Sequence, residues 1–132
     1  MNKLARGFLG CLASLSLSVA LAADDPKPQQ VLQVANEELP VYASGQINPL
    51  HTERPQYPRT QRDKSVQGQV VLMVVIGADG KVAQSEVKES TPTKEFGQAA
   101  QECVRHWKYP KLKWRGVPSR YVVVVPFVFE LR

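Results

Sequence analysis

Residues 69–76, Gln-Val-Val-Leu-Met-Val-Val-Ile, set seven apolar side chains in a row after one polar one, and Gly77-Ala78-Asp79-Gly80 closes the run. Most of the seven are β-branched, stiff at χ1 and suited to a pleated surface, so the run reads as a strand rather than a buried helix. Asp-Gly supplies the left-handed backbone position that a tight hairpin turn needs. A second strand is therefore expected to return along residues 82–89. Whatever else this chain does, it must cover that hairpin.

The 132 residues allow one small domain with extensions. Lys3 and Arg6 precede an apolar, Ser-containing run over residues 8–21, and Ala20-Leu21-Ala22 stands just before Ala23. A basic start, a short apolar stretch and a small-x-small site are the grammar of a secretory signal peptide over residues 1–22. A membrane anchor is the rival reading, weakened by Ser14, Ser16 and Ser18 and by a run shorter than the ~20 apolar residues of a span. Of the 17 Lys and Arg, two lie in that leader, which leaves 15 against 12 acidic residues. Such a balance is an ordinary surface and does not by itself call for nucleic acid. Only Cys103 remains beyond Cys11, so no internal disulfide is expected in the oxidising compartment.

Residues 23–53 are expected to form an N-terminal arm, partly disordered. Its first part is polar with two prolines, while Val31, Leu32, Val34, Leu39, Val41 and Tyr42 carry more apolar surface than a passive tether would. Arg54-Pro55-Gln56-Tyr57-Pro58 enters the domain as an extended segment, since each proline fixes its own φ and biases the residue before it. A short helix follows from about Pro58 toward Gly68. After the hairpin, Phe96, Ala99, Ala100, Cys103, Val104 and Trp107 recur in steps of three and four, one helical stripe. Thr93 is the expected N-cap and Pro110 the stop. A Lys-, Arg- and Trp-rich loop leads to a last strand over residues 121–130. Its bulkier odd positions, Tyr121, Val123, Val125, Phe127 and Phe129, are expected to face the helix. Pro126 cannot donate to a ladder, which points to an edge position or a bulge. The fold class is α+β: a two-layer sandwich of short helix, β-hairpin, helix and final edge strand.

Five pieces in order then resemble the C-terminal domain of TonB energy transducers: Arg54-Pro-Gln-Tyr-Pro, Gly68-Gln-Val, Ala78-Asp-Gly-Lys-Val, Arg105-His-Trp-Lys-Tyr-Pro and Val125-Pro-Phe-Val-Phe. The match covers residues 54–132. The resemblance implies a periplasmic domain that binds TonB-dependent outer-membrane receptors by taking up a short receptor segment as an added strand. It implies no enzymatic activity and no cofactor. Carried over position by position, it assigns partner binding to the entry motif Pro55, Gln56, Tyr57 and Pro58, and to Tyr121, Val122, Val123, Val124, Val125, Phe127 and Phe129 of the last strand. TonB itself keeps a membrane anchor and a long Pro-rich spacer; with neither expected here, the resemblance implies a TonB-like periplasmic binding protein rather than a complete transducer.

An edge strand leaves main-chain N–H and C=O groups unpaired, which makes it a template for strand addition. Two internal occupants compete with a receptor: residues 31–42, or a second copy in a homodimer. Val71, Met73 and Val75 are apolar on the face opposite Val70, Leu72 and Val74, and Val122, Val124 and Val128 repeat this. A sheet wetted on one face should alternate. That second face is therefore expected to be covered by the 31–50 arm or by a dimer partner. Arg105, Lys108, Lys111, Lys113, Arg115 and Arg120, interleaved with Trp107, Tyr109, Trp114 and Tyr121, read first as a solvated loop and then as a surface for an acidic receptor segment or the anionic envelope. A secreted chain leaves no place for nucleic acid. Cys103 falls on the buried stripe, where a thiol is inert packing. His51 and His106 are isolated, with no metal-ligand spacing and no nucleophile-base set around them. The chain is thus expected to be a periplasmic binding protein linked to TonB-dependent transport, and not an enzyme. Two alternatives stay open: a self-associating envelope protein without receptor binding, or a short transducer anchored in the inner membrane and coupled to its motor proteins.

Overall fold

The computed structural model describes residues 26–131, so the expected leader and the first residues of the arm lie outside it. At the centre is the expected hairpin: β3 (Gly68–Ile76) runs antiparallel to β4 (Val82–Thr91). Its turn is built as the Asp-Gly pair requires. Gly80 sits at φ 87°, its N–H donates to Gly77 O, and Lys81 N–H donates to the Asp79 carboxylate at 3.0 Å. A Cβ on Gly80 would also run into the carbonyl oxygen of Tyr109, so two constraints meet at this glycine.

Among the described residues, two helices lie on one face of the sheet. Helix α1 (Arg59–Asp63) starts directly after Pro58. Helix α2 (Lys94–Val104) buries Phe96, Ala100, Cys103 and Val104 in one core with Val70, Leu72, Val74 and Ile76 of β3. Thr93 is the N-cap residue but makes no side-chain cap bond; Ser90 Oγ accepts the Gly97 N–H instead, at 2.9 Å. The helix also stops well before Pro110. Trp107 N–H bonds to Val104 O in a tightened turn, and Lys108 and Tyr109 are drawn away by main-chain bonds to His51 and Gly80. Those tertiary bridges outweigh the apolar periodicity that carries the stripe on to Trp107. The basic loop folds as a small hairpin, β5 (Leu112–Trp114) and β6 (Val117–Ser119), turning at Arg115 and Gly116, both with positive φ.

The last strand, β7 (Tyr121–Phe129), pairs antiparallel with β3 over its whole length. Its odd residues face the helices, as their size implies: Tyr121, Val123, Val125, Phe127 and Phe129 all join the core with Phe96. Its position in the sheet differs from the sequence reading. The order is β1-β2-β7-β3-β4, so β7 is an inner strand and not the edge. The reason is the arm. Its apolar part, residues 31–42, one of the occupants left open for that edge, lies in β1 (Gln30–Val34) and β2 (Glu37–Ala43), an antiparallel hairpin whose second strand lies parallel to β7.

The same hairpin accounts for the apolar second face. Leu39 and Val41 pack with Val75 and Val122 in a second core, flanked by Leu32, Val34, Met73 and Val124. Tyr42 reaches the other way into the main core, edge-on to Tyr121 with ring centroids 5.8 Å apart. Burying side chains of this size contributes about 1.5–3 kcal/mol each, so the hairpin is a structural part of the domain. Val128 lies beyond its reach and stays 60% exposed.

Candidate functional site

Strand β7 divides into two halves at Val124. Val122, Val123 and Val124 are paired on both sides, with Val75, Val74 and Met73 of β3 and with Val41, Tyr42 and Ala43 of β2. Residues 125–129 pair with β3 alone, and among the described residues no strand lies along their other side. A proline fits a paired strand where its nitrogen faces away from the partner, and Pro126 stands in this open half, exposed. The edge signal in the sequence was therefore local: Pro126 marks where the β2 pairing has ended.

Two devices bracket that pairing. Pro40, which has no N–H, lies immediately ahead of Val41, the first residue of β2 paired with β7. At the other end the Gln46 side chain turns the strand out of the sheet: its Oε1 accepts the Ala43 N–H at 2.9 Å and its Nε2 donates to Lys27 O at 2.8 Å. The resident strand thus holds three residue pairs and then leaves the lane.

Beside the open half, Arg54, Pro55 and Tyr57 of the entry segment join Val128, Phe129 and Glu130 in lining a groove of 480 Å3. Tyr57 fixes the segment there. Its ring stands edge-on to both Phe96 and Phe129 at 5.7 Å, and its hydroxyl donates to Val66 O. Of the residues assigned to partner binding, the structure brings Pro55 and Tyr57 to the end of β7. Gln56 and Pro58 border instead a 630 Å3 cleft against α2, whose walls include Glu95, Glu102 and His106. Tyr121, Val122, Val123, Val125, Phe127 and Phe129 are buried, so a visitor could meet only main chain there, and that of Val122 and Val123 is already paired on both sides.

The electrostatics belong largely to the arm. Arg120 pairs with Glu37 at 3.1 Å, and Arg115 stands 3.7 Å from Glu38 while its guanidinium covers the Trp114 ring. Arg105 pairs with Glu102 on α2. Three members of the expected basic surface thus already have acidic partners within the chain. Cys103 is buried, its thiol pushed up by burial, and both Cys103 Sγ–H and Trp107 Nε1–H donate to Glu53 O, which ties the entry segment to α2. Sequence reasoning left residues 31–42 open as one occupant of the lane but gave neither the parallel pairing nor its three-residue extent. The signal available was the alternation of Leu39, Val41 and Ala43 behind an Ala-Asn turn at residues 35–36.

A family model described as the Gram-negative bacterial TonB protein C-terminal matches residues 53–131, more than half of the chain. The chain belongs to the TonB C-terminal family. It is 32% identical over 89 residues to protein TonB of Xanthomonas campestris pv. campestris, which covers 67% of this chain and 40% of that protein. It is 28% identical over 78 residues to protein TonB of Vibrio cholerae serotype O1, covering 59% of this chain and 32% of that protein. The solution NMR structure of the Pseudomonas aeruginosa TonB C-terminal domain superposes with a TM-score of 0.54 at 25% identity, covering 65% of this chain and 87% of that one. The chain therefore spans a third to two fifths of these two curated TonB relatives. The β1–β2 hairpin lies ahead of the TonB match, so the strand that makes β7 an inner one comes from outside it.

Proposed function

We propose that this chain acts in the periplasm as a TonB-like binding domain that captures an extended segment of a TonB-dependent outer-membrane receptor as a strand beside β7. The observation that carries the reading is the open lane along residues 125–129, bordered by the groove of Arg54, Pro55 and Tyr57. Main-chain pairing tolerates varied side chains, which suits one domain serving several receptors. The domain works as a soluble clamp after its leader is removed, and N-terminal sequencing of the protein recovered from the periplasm should then begin at Ala23.

The binding test is a titration of labelled N-terminal peptides of TonB-dependent outer-membrane receptors against the full chain, read by fluorescence anisotropy. Saturable binding is expected. Val128→Pro should weaken it at least about tenfold, because an exposed main-chain donor on the open side is lost while the β3 pairing stays. Circular dichroism checks that the variant is folded. A second reading draws on β1, whose outer edge is free of Lys, Asp, Glu and Pro, with Val31 44% exposed. An undefended edge of that kind favours pairing with a second copy. Flat peptide titrations, together with a sedimentation coefficient that rises with concentration, would favour that reading over receptor capture.

A further inference from the structure

We propose that β2 is a resident occupant of the docking lane, so that a visiting strand grips the whole of β7 only by exchanging with it. The proposal rests on the strand-capture reading above. The lane beside β7 is continuous from Val122 to Phe129, and β2 fills only its first three positions. The pairing is the sheet's one parallel contact; β1–β2, β3–β4 and β3–β7 are all antiparallel. It is bracketed by Pro40 and by the Gln46 clamp, so it cannot lengthen in either direction. The open half gives a visitor a place to start, but Pro126 offers no N–H there, and a lasting grip needs the main chain of residues 122–124.

The resident strand also displays what the lane accepts. Its two leading acids meet Arg120 and Arg115. Leu39 and Val41 then fill the second face while Tyr42 fills the helix face. A visitor able to replace it is an extended peptide with an acidic head followed by alternating apolar side chains, since it must refill the same sites. The ion pairs are solvent-exposed and each contributes little. They act as a latch on the hairpin and keep the arginines from an incoming acidic segment until the hairpin lifts.

The test locks the hairpin. Ala43 and Val124 are register neighbours, and Ala43→Cys with Val124→Cys, in a full-length chain carrying Cys11→Ser and Cys103→Ser, closes a disulfide that can be opened again by reductant. Two labelled probes are used: a synthetic Glu-Glu-Leu-Pro-Val-Tyr-Ala heptapeptide copying β2, and the N-terminal peptides of outer-membrane receptors. The expected result is loss of binding of both probes to the oxidised chain and its return on reduction, the same polypeptide serving as its own folding control. Glu37→Lys with Glu38→Lys, which undoes the latch, should tighten binding roughly threefold to tenfold. Equal receptor-peptide affinity in the oxidised and reduced chains overturns the exchange while leaving capture on residues 125–129 in place. No receptor-peptide binding in any form overturns both readings.

Discussion

Tyr109 and Tyr121 are the residues through which the core reports pH. Burial pushes the Tyr109 phenol up to about 12. Burial moves Tyr121 further in the same direction, with Tyr109 and Tyr42 as neighbours adding to it. The fold therefore favours the neutral phenols, whereas the unfolded chain ionises near the ordinary tyrosine value of about 10. Their contribution is fully present below pH ~10 and is lost as the pH rises from there through the folded-state values. The midpoint of thermal unfolding should be level between pH 7 and 9 and fall steeply by pH 11. Tyr121→Phe should flatten that fall, while lowering stability at pH 7 by about 1 kcal/mol, because Tyr121 Oη donates to Pro110 O at 2.6 Å. Scanning calorimetry of both proteins at the three pH values checks both parts. Glu95 moves the other way: the Thr60 hydroxyl donates to its carboxylate and, with a smaller contribution from Gln61, holds its pKa below the usual value.

Among the elements, the β1–β2 hairpin separates what local sequence determines from what it does not. Leu39 is fully buried and Val31 is 44% exposed, though both belong to the segment first read as an arm. Leu39→Ala should cost about 2–5 kcal/mol in urea unfolding, and Val31→Ala no more than ~0.5 kcal/mol. A passive arm would tolerate both equally. The β3–β4 hairpin, the turn at Asp79-Gly80, helix α2 and the inward face of β7 were legible because each is written in a contiguous period of two or of about 3.6. What was not legible depends on contacts distant in sequence. The end of α2 is set by His51 and Gly80 reaching Lys108 and Tyr109. The inner position of β7 is set by a strand about 80 residues earlier, in a parallel pairing that no local pattern encodes. The β5–β6 hairpin announced itself only through Gly116. Even so, the apolar second face had registered that something must cover it, and the arm does.

At the scale of the whole molecule, the sheet is held together unevenly, and that unevenness bears on the site. The candidate residues were legible as a set, since Pro55, Tyr57 and the end of β7 do meet, but their main-chain accessibility was not, because it depends on β2. Strands β3 and β7 share nine register pairs beneath the helices, and β2 and β7 share three. Lifting the hairpin breaks those three pairs and two exposed ion pairs, and bares Leu39, Val41 and Tyr42. Unfolding the rest exposes the entire main core as well. Local openings of different size have different free energies, and amide exchange reads them separately. Amides of β1 and β2 should therefore exchange through an opening that leaves β3 protected, with protection at least tenfold lower, or ~1.4 kcal/mol in opening free energy. Native-state hydrogen exchange read by mass spectrometry on peptides covering residues 30–43 and 68–76 makes the comparison. Low concentrations of urea should barely affect the first set, whose opening exposes little surface, and should strongly accelerate the second. If both sets instead exchange together with the same urea dependence, the hairpin and the sheet open as one unit, and no visiting strand could displace β2 without unfolding the domain that is meant to hold it.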